Sequence, residues 1–237
     1  MKVWPWIYLI VSLLEICAEI GNISWLRFLT KPLLMPVLMA GFLLESQFKP
    51  ARLGKFLLAA LFFAWLGDVF LMFQSQTPLA FLGGLASFLT THILYALCFV
   101  LEFTEKSKQT LLHKKPWLIS IFVLYGSILL YLIFPGLAEM TLPVIIYASV
   151  IMIMCILAMN RFTNTNISSF QWVLFGALSF MISDSVIALN KFTLLFQNHS
   201  ILASVLIMVL YTAGQYLILQ GLILHGKKLW LLISNKV

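Results

Sequence analysis

Two side chains stand out as groups able to do chemistry: Asp68 in the stretch AWLGDVFLMF, Ala64 to Phe73, and Asp184 in SFMISDSVIALNKF, Ser179 to Phe192. They are the only aspartates among the 237 residues, and each is embedded in a run of large apolar side chains. Two carboxyls that converge in one pocket can hold one proton between them, so that one acts as acid and the other as base. That pair suits hydrolysis by an activated water, with neither a metal nor a covalent nucleophile. The competing reading is a pair of buried carboxyls bonded to Ser or Tyr purely for helix association.

Further polar side chains recur at helical spacing. In FLTTHILYALCF, His92 and Tyr95 are three apart, and in LYTAGQYLI, Tyr211 and Gln215 are four apart, so each pair shares a helix face. They could line the same cavity, or serve as hydrogen-bonded packing and helix contacts. Asp68, Asp184 and His92 could in principle form a mixed metal set. His113, His199 and His225 fall in loops or near span ends, however, and without a second central histidine or an HExxH-like pair no metal is expected. Glu15 and Glu19 lie four apart in the first apolar run; Glu15 could be a third pocket acid, and Glu19 can escape to the interface. Lys31, with Lys191, could hold a phosphate or pair with an acid, although snorkelling is the simpler expectation for Lys191. Cys17, Cys98 and Cys155 are odd in number and lack paired spacing, so they read as packing residues.

The elements that must position these groups are membrane spans. Hydrophobic residues make up 62% and charged residues 10% of the chain, and the mean hydropathy is +1.03, outside the range of soluble domains. Runs of roughly 20 apolar residues cross about 30 Å of hydrocarbon. Eight candidates emerge: Trp4 to Glu19, Pro32 to Glu45, Phe56 to Phe73, Leu79 to Phe103, Trp117 to Phe134, Leu142 to Met159, Phe170 to Asn190 and Ile201 to Leu224. The second is the shortest. The first reads as a span rather than a signal peptide, because ICAEIGNISW brings acids where a small-residue cleavage site would be needed.

Orientation follows from the basic residues. Assigning alternate connections to one side gathers 12 of the 15 Lys and Arg there, leaving Arg27, Lys31 and Lys191 opposite. This predicts both termini in the cytoplasm. The net charge of +7 is thus mainly a topology signal; a nucleic-acid partner would need a folded basic domain, and TEKSKQTLLHKK is too short for one. Shifting the sequence by 116 residues lays Asp68 on Asp184 and Tyr95 on Tyr211, which suggests a weak parallel repeat of four spans and four. The expected architecture is all-α: residues 1–237 as a single integral-membrane helical domain, each aspartate roughly 18 to 20 Å along its helix and beyond the midplane. Ionisable groups at such depth usually face a cavity and are functional.

Five blocks occur in order across nearly the whole chain: KPLL at Lys31, LGDVFLM around Asp68, FLGGLASFLTTHILYAL from Phe81, SDSVIALNKF from Ser183 and YTAGQYLI from Tyr211. Together they resemble the signature blocks of the YhhN-like membrane proteins, the lysoplasmalogenase family. The resemblance implies an eight-helix ether hydrolase, without cofactor, that cleaves the vinyl ether bond of lysoplasmalogens to a fatty aldehyde and glycerophosphoethanolamine or glycerophosphocholine. Its partners would be the lysophospholipid substrate and membrane lipids, with no obligate protein partner evident, and its setting a bacterial inner membrane. Extended onto the matched blocks, it implies Asp68, Asp184 and His92 as catalytic residues. Lys31, Tyr95, Asn190, Tyr211 and Gln215 would then bind substrate.

Two other classes are weighed against this. Intramembrane aspartyl proteases also use two aspartates on separate helices, one in a Gly-x-Gly-Asp motif; here the sequence is WLGD, with Leu66 in place of the first glycine, no YD motif and no later Pro-Ala-Leu. A lipid transporter would suit the possible repeat and the deep acids, but matched glycine- or proline-broken spans are lacking apart from Pro36 and Pro143.

Overall fold

The computed structural model describes residues 2–45, 51–102 and 110–234; within them the regular structure is helical, with no strand. In chain order the helices are α1 (Trp4–Ile20), α2 (Ser24–Glu45), α3 (Ala51–Met72), α4 (Pro78–Leu101), α5 (Leu111–Lys114), α6 (Leu118–Leu137), α7 (Thr141–Asn160), α8 (Ile167–Phe192) and α9 (Ser200–Ser234). Six stretches among the described residues are long and apolar enough to cross a membrane: Ser24–Glu45, Arg52–Met72, Pro78–Leu101, Leu118–Thr163, Ile167–Phe192 and Ser200–Gly226. The fourth contains both α6 and α7, and α1, with 17 residues, is not among the six. The chain therefore has the build of a multi-pass membrane protein. Between α6 and α7, Ala138 adopts a positive φ of 44° and a 3-10 turn follows, after which the two helices pack on each other.

Helix starts follow local chemistry. Thr77 caps α4, its hydroxyl accepting from the Leu79 N–H at 3.3 Å, while Pro78 takes the first helical position, where no N–H is needed. Asn166 does the same for α8, accepting from the Ser169 N–H at 2.8 Å.

The second predicted span needs correction. It begins at Ser24, not Pro32, so Lys31 lies inside α2 rather than at its head, and Pro32 and Pro36 are interior. Pro36 lacks the N–H that would bond the Pro32 carbonyl. That carbonyl instead accepts from the Trp65 indole N–H at 3.0 Å, so no backbone acceptor is stranded. Scanning for apolar runs misses the first two turns because Arg27 and Lys31 interrupt them; spaced by four, they occupy one helix face. The predicted end of the fourth span, Phe103, lies outside the described residues, as do Lys49, Lys106, Lys108 and Lys236, which enter the orientation argument.

The most extensive contacts are between α8 and α9 and between α3 and α4. At the α8–α9 crossing a Cβ on Gly176 would sit 2.8 Å from the Gly214 carbonyl oxygen, so the backbones touch and no larger side chain fits. This approach fixes the rotation of α8 against α9. Cys98 and Cys155 are buried in the core, as expected for packing residues, whereas Cys17 faces outward.

Arg161, counted among loop charges in the orientation argument, is fully buried. Its Nε donates to Glu102 Oε2 at 2.5 Å and its Nη2 to Glu102 Oε1 at 3.1 Å. Ser169 accepts from the same guanidinium through its carbonyl at 3.2 Å and its hydroxyl at 2.9 Å. The cluster ties the end of α4 and the end of α7 to the start of α8.

Candidate active site

Asp68 is carried by α3 and is 2% exposed. The Tyr211 hydroxyl of α9 donates to its Oδ2 at 2.7 Å. Asp184 is carried by α8, and its Oδ2 is the focus of two donors: the Tyr147 hydroxyl of α7, and His92 Nε2 of α4 at 3.0 Å. His92 Nε2 also lies 3.0 Å from the Tyr147 hydroxyl, so the three groups form a triangle. His92 Nδ1 is buried without a partner. The ring therefore meets its polar neighbours through Nε2 alone.

The two acids keep separate donors. No hydrogen bond among the described residues joins the sets. Their link is aromatic: the Phe180 ring makes edge contacts with His92 at 4.6 Å and Tyr211 at 5.4 Å between centroids. Each acid is thus capped by its own tyrosine, and Phe180 touches both sets. Charged neighbours of Asp68 are Lys31 and Glu15. Glu15 is itself fully buried and accepts from the Thr30 hydroxyl.

Above the acids lies a cavity of about 320 Å³. Its walls carry Glu19, Arg27 and Lys31 from α1 and α2, and Asn190 and Lys191 from α8. Its floor includes Leu71 and Met72 of α3, Ile187 of α8, and Ile207 and Met208 of α9. Residues three or four apart share a helix face about one turn apart. Leu71 and Met72 stand in that relation to Asp68, Ile187 to Asp184, and Ile207 and Met208 to Tyr211. Both carboxyls accordingly lie about one turn beneath the floor of one cavity. A smaller apolar crevice of about 50 Å³ shares Leu71 and Ile187 with it and is lined by Phe81, Phe88, Tyr147 and Asp184. The two spaces meet at Leu71 and Ile187, one turn from Asp68 and Asp184 respectively, and Asp184 itself lines the apolar one.

The predicted residues divide accordingly. Lys31 and Asn190 line the cavity; Tyr211 holds Asp68 and His92 holds Asp184. Tyr95 and Gln215 are fully buried and bond each other, hydroxyl to Oε1 at 2.5 Å, rather than reaching the cavity. Glu19 does not escape to the interface: it is 6% exposed and forms an ion pair with Arg27, whose Nε lies 3.1 Å from its Oε1. Lys191 lines the cavity wall, its ammonium 4.9 Å from the centre of the Phe81 ring. Tyr147 is the partner that sequence reading misses, because a single tyrosine in an apolar span gives no spacing signal. Arg27 was equally visible only as a topology charge. Among the described residues no three His, Cys, Asp or Glu side chains gather as metal ligands.

Residues 26–222 match the profile of the YhhN family. No curated protein and no solved structure matches the chain.

Proposed function

Because the chain belongs to the YhhN family, we propose that it is a lysoplasmalogenase, an ether hydrolase acting on the vinyl ether bond of membrane lysophospholipids. The observation that carries this reading is the joint of a charged cavity and an apolar crevice at Leu71 and Ile187, which stand one turn from Asp68 and Asp184 respectively. A lysolipid has this build. Its phosphate would meet Lys31 and Lys191, its chain would follow the crevice, and its scissile bond would lie between them at the depth of the acids.

The chemistry then divides between the aspartates. Asp184, which receives two donors on Oδ2, serves as base and as stabiliser of the cation; Asp68, with Tyr211 on one oxygen, carries the proton on the other. Asp68 donates that proton to the alkenyl carbon distal to the ether oxygen, leaving an oxocarbenium ion. Water adds to the cationic carbon as Asp184 takes its proton, giving a hemiacetal. Asp184 returns that proton to the glycerol oxygen while Asp68 recovers one from the hemiacetal hydroxyl. The C–O bond breaks, aldehyde and glycerophosphoryl alcohol leave, and both acids are restored with one water consumed. His92 and Tyr147 hold the base in place.

The same proposal includes eight membrane crossings with both termini cytoplasmic in a bacterial inner membrane, supported by the 12-to-3 division of basic residues. It also includes a parallel repeat, supported by the two close helix pairs α3–α4 and α8–α9. Purified protein is expected to release fatty aldehyde from lysoplasmenylethanolamine. Absence of aldehyde from a folded preparation would overturn the reading.

A further inference from the structure

Resting on the lysophospholipid reading, we propose that the charged cavity selects a head group bearing a primary ammonium, of the ethanolamine type, over a quaternary ammonium of the choline type. The cavity contains one acid among its cations. Glu19 has only 5% of its side chain exposed, and Arg27 Nε lies 3.1 Å from one of its oxygens as an ion pair. A carboxylate offers about four acceptor positions, so this contact leaves capacity for another donor. Neither Lys31 nor Lys191 forms an ion pair among the described residues, and both line the same cavity. Two cations outside any ion pair suit a phosphodiester, and the acid that lines the same cavity suits the ammonium that follows it.

The kind of ammonium is decided by what surrounds Glu19. A primary ammonium brings three N–H donors, and the cavity is lined by Glu19 together with Gln74, Gln76 and Asn190, whose side chains each include an amide oxygen able to accept. A trimethylammonium brings none. It would cover Glu19 without bonding it, and its preferred partners are aromatic faces arranged as a cage. The cavity wall supplies a single aromatic ring, Phe28, already packed against Phe73 at 5.9 Å. Hydrogen bonds to a charged acceptor at this strength correspond to discrimination of at least about tenfold.

The test compares kcat/KM for lysoplasmenylethanolamine and lysoplasmenylcholine with identical chains, in wild type and in Glu19→Gln. The glutamine can keep an oxygen for Arg27 while removing the charge. Wild type is expected to favour ethanolamine at least about tenfold, and Glu19→Gln to bring the ratio towards one. A purely structural loss would lower both rates and leave the ratio intact. Binding of the corresponding saturated 1-O-alkyl lysolipids, which lack the cleavable bond, is measured in parallel by thermal shift. If neither lysoplasmalogen yields aldehyde, the hydrolase reading fails while the binding ratio still reads the head-group preference. Equal wild-type values for both head groups, in rate or in binding, overturn the inference even if aldehyde is released, and so does a ratio unchanged by Glu19→Gln.

Discussion

The two ends of the helix bundle use the same kinds of residue to opposite effect. At the end where α4 and α7 stop and α8 starts, Arg161 is sealed from solvent and its donors are matched by Glu102 and Ser169. Ser169 in turn donates to the Gly221 carbonyl at 2.6 Å, drawing in α9. Burial pushes the Glu102 carboxyl above its ordinary range and the adjacent guanidinium opposes that shift. At the other end of α8, 22 residues on and therefore roughly 33 Å away, Lys191 and Lys31 border an open cavity without an ion pair among the described residues, Asp68 and Glu15 being the acids that Lys31 acts on from further off. Closed, reciprocated charge joins helices; open, unreciprocated charge is available to a ligand. The difference is one of geometry rather than composition.

Substitutions at both ends and at the acids break or sharpen this contrast. The largest effect is expected at the acids beneath the cavity: Asp68→Asn and Asp184→Asn should each lower aldehyde release by about 10²- to 10⁴-fold, with thermal unfolding in detergent little changed. A variant that keeps full activity would remove its aspartate from the mechanism. At the sealed end the loss should be in stability instead. Arg161→Ala leaves Glu102 buried and unpaired and should cost about 3–5 kcal/mol, read as a fall in the unfolding midpoint with KM unchanged. Replacing both partners, Arg161→Met with Glu102→Leu, should recover much of it. A rise in KM at normal stability would show that the two ends are not functionally distinct.

Tyr147→Phe removes one donor from Asp184 and keeps the ring. It should reduce kcat by about tenfold or more, as expected for a hydrogen bond to a charged group worth about 1.5–3 kcal/mol. Tyr125→Phe, which loses only a 2.7 Å bond to Ser185, is the matched comparison and should retain kcat. The smallest change is expected from Lys31→Ala or Lys191→Ala, a rise in KM of about two- to fivefold at constant kcat, shrinking as salt is added.

Much of the scaffold was legible in the chain because span length and apolar composition are local properties. Both aspartates could be placed along their helices from the sequence alone. The start of α2 was not, since the face bearing Arg27 and Lys31 reads as a break in hydrophobicity until the cavity that accepts it is known. Glu19 was assigned to the interface for a related reason: its partner Arg27 lies beyond a turn, and the turn places them 3.1 Å apart. The site itself was half visible. His92 and Tyr211 were singled out by spacing, but their separate attachments, one to each acid, were not, and Tyr147 carried no signal at all. Tyr95 and Gln215, also singled out by spacing, turn to each other.

The order of residues determined a helical, membrane-type chain with one acid on each of two apolar helices, because hydrophobic length acts within one segment at a time. Tertiary structure alone decided which hydroxyl reaches which carboxyl, and that Lys31 and Lys191, 160 residues apart, border one cavity. Those outcomes depend on how helices rotate against each other, and contacts such as that of Gly176 with Gly214 fix the rotation by excluding every bulkier side chain at the crossing.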